Sequence, residues 1–266
     1  MSRIVLIFVW MAGIYCPVSA KLTVDEENLV DHIVSRYEEL WHNVERIEYD
    51  AELLEGSSEE DGELKVKDRF LKRVIVSVLP DTTLLEEEYL AYYKDGELRS
   101  EEDLREEAQK KIERREKSRS RGISWPILTP FFPDQREFYD IIYQGIADSL
   151  IDGYSCHIFK VLSRSEHDQR IHGTYYIDTD SFQPVRLDFR PSKLGGNTMF
   201  KLKQLDMTIW SEPTEYGIWL PTRFDISGKG RAALLVGISF AGRELYRNPQ
   251  VIMRLEQDDK DAYPVE

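Results

Sequence analysis

The chain has 266 residues, of which 41% are hydrophobic, and its 35 lysines and arginines against 49 aspartates and glutamates give a formal net charge of -14. Proteins that bind a phosphate backbone neutralise it with lysine and arginine, so this acidity argues against sequence-independent binding of nucleic acid. With 2 cysteines the chain is not a disulfide-rich miniprotein. A chain of this length can bury a large core without metals or disulfides, and we expect one large domain or two small ones.

The first twenty residues have the layout of a secretory signal peptide. Arg3 precedes an apolar run from Ile4 to Tyr15, and Val18 and Ala20 stand at the positions that suit a cleavage pocket. The run is shorter than the roughly 20 residues that span a bilayer, which favours a signal peptide over a membrane-anchoring helix. We therefore predict export, cleavage after Ala20, and one remaining cysteine, Cys156, as an inert residue in a buried strand.

The mature chain is predicted to begin with a helix from about residue 24 to 42. Thr23 and Glu26 have the spacing of a capping box, in which a hydroxyl and a carboxylate each accept a hydrogen bond from a free backbone N–H at the helix start. Apolar residues then recur at helical spacing. These are Leu29, Ile33, Tyr37 and Leu40.

Strand patterns occupy most of the rest of the chain. Apolar and charged residues alternate from Ile47 to Leu53, as in a strand with one wet face. Asp95-Gly96 is a strong hairpin signal, because both residues tolerate positive φ. Further strands are predicted over 199–210 and 216–226, where Pro221 marks an edge or a bulge.

Residues 100–121 are almost all charged, with acidic residues first and basic residues last, which favours an exposed helix because this order complements the helix dipole. The segment runs into an aromatic, proline-broken loop. Two interpretations stay open: a helix that is simply solvated, or a surface that contacts an anionic lipid layer or an acidic partner. The candidate contact residues are Arg114, Arg115, Lys117, Arg119, Arg121, Trp125, Phe131 and Phe132.

No motif in the sequence points to catalysis. The Gly-x-Ser-x-Gly, P-loop, His-Glu-x-x-His and Cys-x-x-Cys patterns are absent. Gly228-Lys229-Gly230 is followed by a strand-like run, whereas a dinucleotide-binding fingerprint requires a helix there. His157, His167 and His172 are spaced as unrelated histidines. We predict no catalytic residue, no metal and no cofactor, and an envelope hydrolase with dispersed carboxylates has no spacing pattern to support it.

Four stretches give the chain its likeness to a known family: Tyr92–Gly96 (YYKDG), Gly173–Asp180 (GTYYIDTD), Gln183–Leu187 (QPVRL) and Gly217–Thr222 (GIWLPT). Together with the signal peptide, one amphipathic helix and many strands, this rhythm resembles the LolA/LolB/RseB-like superfamily of periplasmic lipoprotein-carrier and lipid-sensing domains. The charged segment at 100–133 departs from the compact carriers of that superfamily.

The resemblance implies an α+β fold in which a strongly curved antiparallel sheet, an incomplete barrel, is covered by the N-terminal helix. The exposed charged helix would be an insertion at about 100–133, residues 21–256 a single LolA-like domain, and 257–266 an acidic tail. The resemblance also implies a periplasmic location and an apolar cavity that holds the acyl chains of lipids or lipoproteins without performing chemistry on them.

Aromatic and branched residues on the inner side of such a sheet are candidates to line the cavity, and the alternative for each is ordinary core packing against the helix. The candidates are Tyr49, Phe70, Val74, Leu187, Phe189, Leu234 and Phe240. Two functional hypotheses follow. The first is a non-enzymatic binding protein that holds a lipid or lipidated partner for envelope or outer-membrane maintenance. The second is an interaction module with a filled core that docks a membrane or an envelope protein through residues 105–133.

Overall fold

The computed structural model describes residues 22–58, 63–79, 83–119, 128–166, 170–195, 200–232 and 236–254. They form one antiparallel sheet of eleven strands with two α-helices and two short 3-10 helices. The helices are α1 (Val24–His42), α2 (Glu101–Arg119), η1 (Thr129–Phe131) and η2 (Arg136–Phe138). The strands are β1 (Val44–Ser58), β2 (Leu64–Val78), β3 (Thr83–Lys94), β4 (Glu97–Leu98), β5 (Tyr139–Ile146), β6 (Cys156–Ser163), β7 (Ile171–Asp178), β8 (Pro184–Pro191), β9 (Phe200–Pro213), β10 (Trp219–Ala232) and β11 (Val236–Met253).

The strand order is β4-β3-β2-β1-β11-β10-β9-β8-β7-β6-β5, and every neighbouring pair is antiparallel. The first strand, β1, lies beside the last, β11, and all other neighbours follow one another along the chain. The long segment between β4 and β5 joins the two edges of the sheet. Within the described residues the edge strands β4 and β5 do not pair with each other, so the sheet is not closed into a barrel. The prediction of one large open antiparallel sheet with two helices is confirmed.

Helix α1 begins and ends at the predicted residues. Thr23 caps it, with a 2.6 Å hydrogen bond from the Thr23 N–H to the Glu26 carboxylate and a 3.4 Å bond from the Glu26 N–H to the Thr23 hydroxyl. Val30, Ile33 and Val34 of α1 are at most 5% exposed and join a core cluster with residues of β5 to β9. We call the face of the sheet that α1 contacts the inner face.

The turn and bulge signals of the sequence also appear in the structure. Asp95 and Gly96 have φ values of 52° and 84° and connect β3 to β4, as the hairpin signal predicts. Pro221 lies inside β10, beside a register shift between Pro221 and Arg223 in the pairing with β9. The pairing of β10 with β11 starts only at Arg223, so Pro221 occupies both a bulge and a local edge.

Helix α2 is charged and mostly exposed, as predicted, but one stripe of it lies against β3. The stripe has helical spacing and is half-buried. Its members are Leu104, Glu107, Ala108, Lys111 and Ile112. Lys111 forms an ion pair with Glu55 of β1 and lies 4.5 Å from the centre of the Phe70 ring. The described part of the chain holds no helix that is both long and apolar enough to span a membrane.

Candidate functional site

The inner face of β5 to β9 is filled by side chains from α1 and η1. Phe159 and Tyr175 are fully buried there, and the ring of Phe131 packs edge-on against them, with centroids 5.4 Å and 4.8 Å apart. Phe132 is half-buried, and its ring lies 6.3 Å from that of Tyr37 on α1. Phe131 is therefore a core residue, and it is not exposed to a membrane or a partner as its place in the aromatic loop suggests.

The remaining members of the candidate contact surface are distributed differently. Arg114 is exposed on α2. The backbones of Arg115, Lys117 and Arg119 belong to the same helix, while Arg121 and Trp125 lie outside the described residues. Of the two residues, Arg114 is therefore exposed and Phe131 is buried.

The predicted cavity-lining residues fall into two groups on the inner face. Tyr49 and Val74 pack in a cluster with the end of α1, Leu187 packs in the core beneath α1, and Phe70 stacks on Tyr92 with ring centroids 4.5 Å apart. These four residues, Tyr49, Phe70, Val74 and Leu187, are at most 6% exposed. Phe189 and Phe240 are half-buried instead, and Leu234 lies outside the described residues.

Phe189 and Phe240 belong to a half-buried apolar surface on strands β8 to β11, which we call the inner strip. Its five members are Phe189, Met207, Phe224, Ile226 and Phe240. Phe189 pairs with Met207, and Met207 pairs with Ile226, so these three side chains form one row across β8, β9 and β10. Phe189 and Phe224 also contact the core cluster beneath α1. The inner strip is therefore a half-open continuation of the core.

Two glycines let the side chains of the strip lie flat on the sheet. A Cβ atom at Gly228 would stand 2.4 Å from the Phe240 ring, which is closer than such atoms approach. A Cβ atom at Gly242 would stand 3.2 Å from the side chain of Ile226. Since both glycines are paired directly with strip residues, the backbone itself forms part of this apolar surface.

A buried ion cluster borders the strip on the same face. Lys72 is 1% exposed and pairs with both Glu87 and Glu244, at 2.6 Å in the case of Glu244. Glu244 is 6% exposed and lies directly opposite Phe224 in the β10–β11 pairing. Removing charges from water is costly unless they are paired, so this cluster is held by strong mutual attraction. The sequence carries one signal for it: Lys72 stands between Phe70 and Val74 at the inward positions of the alternation.

His157, His172 and Cys156 make contacts within the fold. The hydroxyl of Tyr143 lies 2.8 Å from Nδ1 of His157, and the Ser163 N–H donates to Nδ1 of His172 at 3.1 Å. Burial lowers the pKa of both imidazoles. Cys156 is fully buried in strand β6, as predicted, and burial raises the pKa of its thiol to about 12.

His167, the remaining member of the group His157, His167 and His172, lies outside the described part of the chain. In the part that the structure describes, no group of three or more histidine, cysteine, aspartate and glutamate side chains comes together as metal ligands. Asp178, at the β7–β8 turn, accepts hydrogen bonds from the backbone N–H and the hydroxyl of Ser181, at 2.8 Å and 2.7 Å. This carboxylate therefore caps a turn.

A groove of about 690 Å³ lies at the other end of the sheet, between the β9–β10 hairpin and β11. None of the predicted cavity-lining residues contributes to its wall. The inner strip and this groove are thus two separate surfaces, and of the two only the strip contains predicted cavity-lining residues.

Known proteins resemble this chain in structure and not in sequence. No family model and no curated protein matches it. Among solved structures, an outer membrane lipoprotein-sorting protein domain from Vibrio parahaemolyticus is 9% identical, covering 88% of this chain and 94% of its own, with a TM-score of 0.44. A LolA superfamily protein from Nitrosomonas europaea is 10% identical, covering 84% and 93%, with a TM-score of 0.32. MucB, in complex with MucA from Pseudomonas aeruginosa, is 11% identical, covering 83% and 94%, with a TM-score of 0.26.

At 9–11% identity the likeness concerns the fold alone. What this chain binds is argued below from its own residues.

Proposed function

We propose that this chain is a periplasmic, non-enzymatic binding protein that holds the acyl chain of a lipid or of a lipidated partner on the inner strip, in the service of envelope or outer-membrane maintenance. The observation that supports this function is the strip itself: five large apolar side chains that are only half-buried, beside the buried Leu187 and Ile209 on the same face. The signal-peptide pattern of residues 1–20 supports the periplasmic location.

The physical chemistry of the strip suits an alkyl chain. Each CH₂ group that moves from water onto an apolar surface contributes about 0.8 kcal/mol, so a ligand covering several CH₂ lengths gains enough to bind without any polar contact. Gly228 and Gly242 flatten the surface, so that an extended chain can lie close to the sheet. The charges of Lys72 and Glu244 beside the strip already pair with each other, so an acyl chain that approaches them leaves their ion pair intact.

Charged substitutions within the strip are expected to abolish acyl binding. Phe189→Glu and Ile226→Glu each place a carboxylate where the alkyl chain would lie, and we expect at least about a tenfold loss of affinity, which corresponds to roughly 1.4 kcal/mol. The measurement is a titration with a fluorescent fatty acid, after thermal unfolding has shown that each variant is folded.

The matched control is Leu84→Glu, because Leu84 is a large apolar residue of strand β3 that is 45% exposed and does not belong to the strip. This variant should bind the fatty acid as the unmodified chain does. Equal affinity in the strip variants and the control would refute the strip as the acyl site.

A second function, docking to an anionic membrane or an envelope protein through residues 105–133, is favoured by the arrangement of α2. The helix is held to the sheet through Lys111 and its neighbours, while Arg114, one turn further along, is exposed to solvent. Binding to anionic vesicles that survives Ile226→Glu and is lost in Arg114→Glu would favour this function over the first.

A further inference from the structure

The sheet divides between β10 and β11 at one end. The two strands pair from Arg223, opposite Leu245, to Ala232, opposite Val236. Beyond Arg223, residues 219–221 of β10 continue to pair with β9 alone, and residues 246–253 of β11 continue to pair with β1 alone. Among the described residues, the backbone edges of residues 219–221 and 247–253 therefore face the same gap without a neighbouring strand.

Both strands have backbone irregularities at the point where the pairing of β10 with β11 ends. On β10, Pro221 has no N–H to donate, and the register with β9 shifts between Pro221 and Arg223. On β11, Asn248 has a φ of 51° and precedes Pro249, and the register with β1 shifts between Glu48 and Asp50 opposite them. A bulge bends its strand, and both bulges lie where the pairing of β10 with β11 ends.

The gap is the groove of about 690 Å³ described above. Its walls include two half-buried apolar side chains that pack against the core cluster at the end of α1, Tyr246 and Val251. Ligand sites in proteins have volumes in this range. The groove therefore offers apolar contacts between two free strand edges.

The rim of the groove is acidic. Glu212 and Glu215 are exposed on the β9–β10 hairpin, and no cation of the described residues forms an ion pair with either. The one basic residue of the wall, Arg247, pairs with Glu52 at 3.2 Å. The charge that complements this rim is positive.

We propose that this groove binds an extended polypeptide carrying lysine or arginine beside apolar residues, which adds to the sheet as a strand between β10 and β11. Free strand edges recognise extended peptides through main-chain hydrogen bonds, and neighbouring pockets and charges select the side chains. The basic side chains of the peptide lie against Glu212 and Glu215, and its apolar side chains lie on Tyr246 and Val251. This surface is separate from the inner strip and does not depend on acyl binding.

The test uses the full chain and three synthetic octapeptides: one that alternates valine and lysine, one that alternates valine and glutamate, and a valine–lysine copy N-methylated at every second amide. Hydrogen exchange of the protein is measured by mass spectrometry with each peptide. The valine–lysine peptide should slow exchange of backbone amides in residues 246–253, and the other two should not. Protection that the N-methylated peptide also produces, or its absence with every peptide, would overturn the proposal.

Charge reversal on the protein provides the matched comparison. The double variant Glu212→Lys with Glu215→Lys should weaken binding of the valine–lysine peptide about tenfold or more. The control double variant Glu101→Lys with Glu102→Lys changes the net charge equally at exposed positions of α2 and should leave the affinity unchanged. Equal weakening in both doubles would show that the peptide senses only the overall charge of the chain, and the proposal would fail.

Discussion

Replacing Lys72 with methionine is expected to lower the free energy of unfolding by about 3–5 kcal/mol, the usual cost of removing one partner from a buried ion pair. Lys72 is the cation between Glu87 and Glu244, whose side chains are 5% and 7% exposed. Without the ammonium group, two carboxylates remain close together out of water, and each disfavours the ionised form of the other. Urea denaturation monitored by circular dichroism measures the change.

Two controls make this result specific. Arg73→Met removes the neighbouring cation, which pairs with Glu88 at 3.9 Å and is 50% exposed, and it should cost at most about 1 kcal/mol. The triple variant that adds Glu87→Gln and Glu244→Gln to Lys72→Met should recover much of the lost stability, since no unpaired charge remains. A Lys72→Met variant as stable as Arg73→Met would show that the cluster does not hold β2, β3 and β11 together.

Truncation of Phe131 to alanine is expected to cost about 3–5 kcal/mol, the range for removing a large aromatic side chain from a core. The ring is 0% exposed and contacts Phe159 and Tyr175 on neighbouring strands. The large loss would show that η1 is part of the folded core. Thermal or urea unfolding provides the measurement.

Leu98→Ala is the comparison for Phe131→Ala, because Leu98 is apolar but 65% exposed and its truncation should change stability by less than about 0.5 kcal/mol. If Phe131→Ala were equally mild and instead weakened binding to anionic vesicles, Phe131 would belong to a contact surface and not to the core.

Features of the fold that depend on residues close together in the sequence could be predicted from the sequence. The start of α1 follows from Thr23 and Glu26, which satisfy backbone groups within one turn of the helix. The β3–β4 hairpin follows from Asp95-Gly96, because both residues adopt the positive φ values that a tight hairpin turn requires. The alternating pattern of the strands then leaves little choice but a large antiparallel sheet.

Features that depend on contacts between residues far apart in the sequence could not be predicted in this way. Lys72, Glu87 and Glu244 come from three strands, and β11 pairs with β1, the strand farthest from it along the chain. The burial of Phe131 depends on β6 and β7, which follow it in the chain. The separate groove arises where β10 and β11 stop pairing, and no local pattern specifies which strands are neighbours.

The candidate site was predictable in part for the same reason. Alternation places Phe189 and Phe240 on the inner face, and it places Tyr49, Val74 and Leu187 there as well. Which of these residues are covered depends on where α1 and η1 pack, and that is a tertiary property. The sequence alone therefore selects the face of the sheet but not the part of it that stays half-open.

The central claim, that an acyl chain lies on the inner strip, is tested most directly by photocross-linking. A diazirine-labelled palmitate is bound to the full chain and irradiated, and the modified residues are identified by mass spectrometry. We predict saturable labelling of Met207, Phe224 and Phe240, all on the strip. Labelling confined to the groove residues 212–222 and 246–252, or labelling that does not saturate, would contradict it.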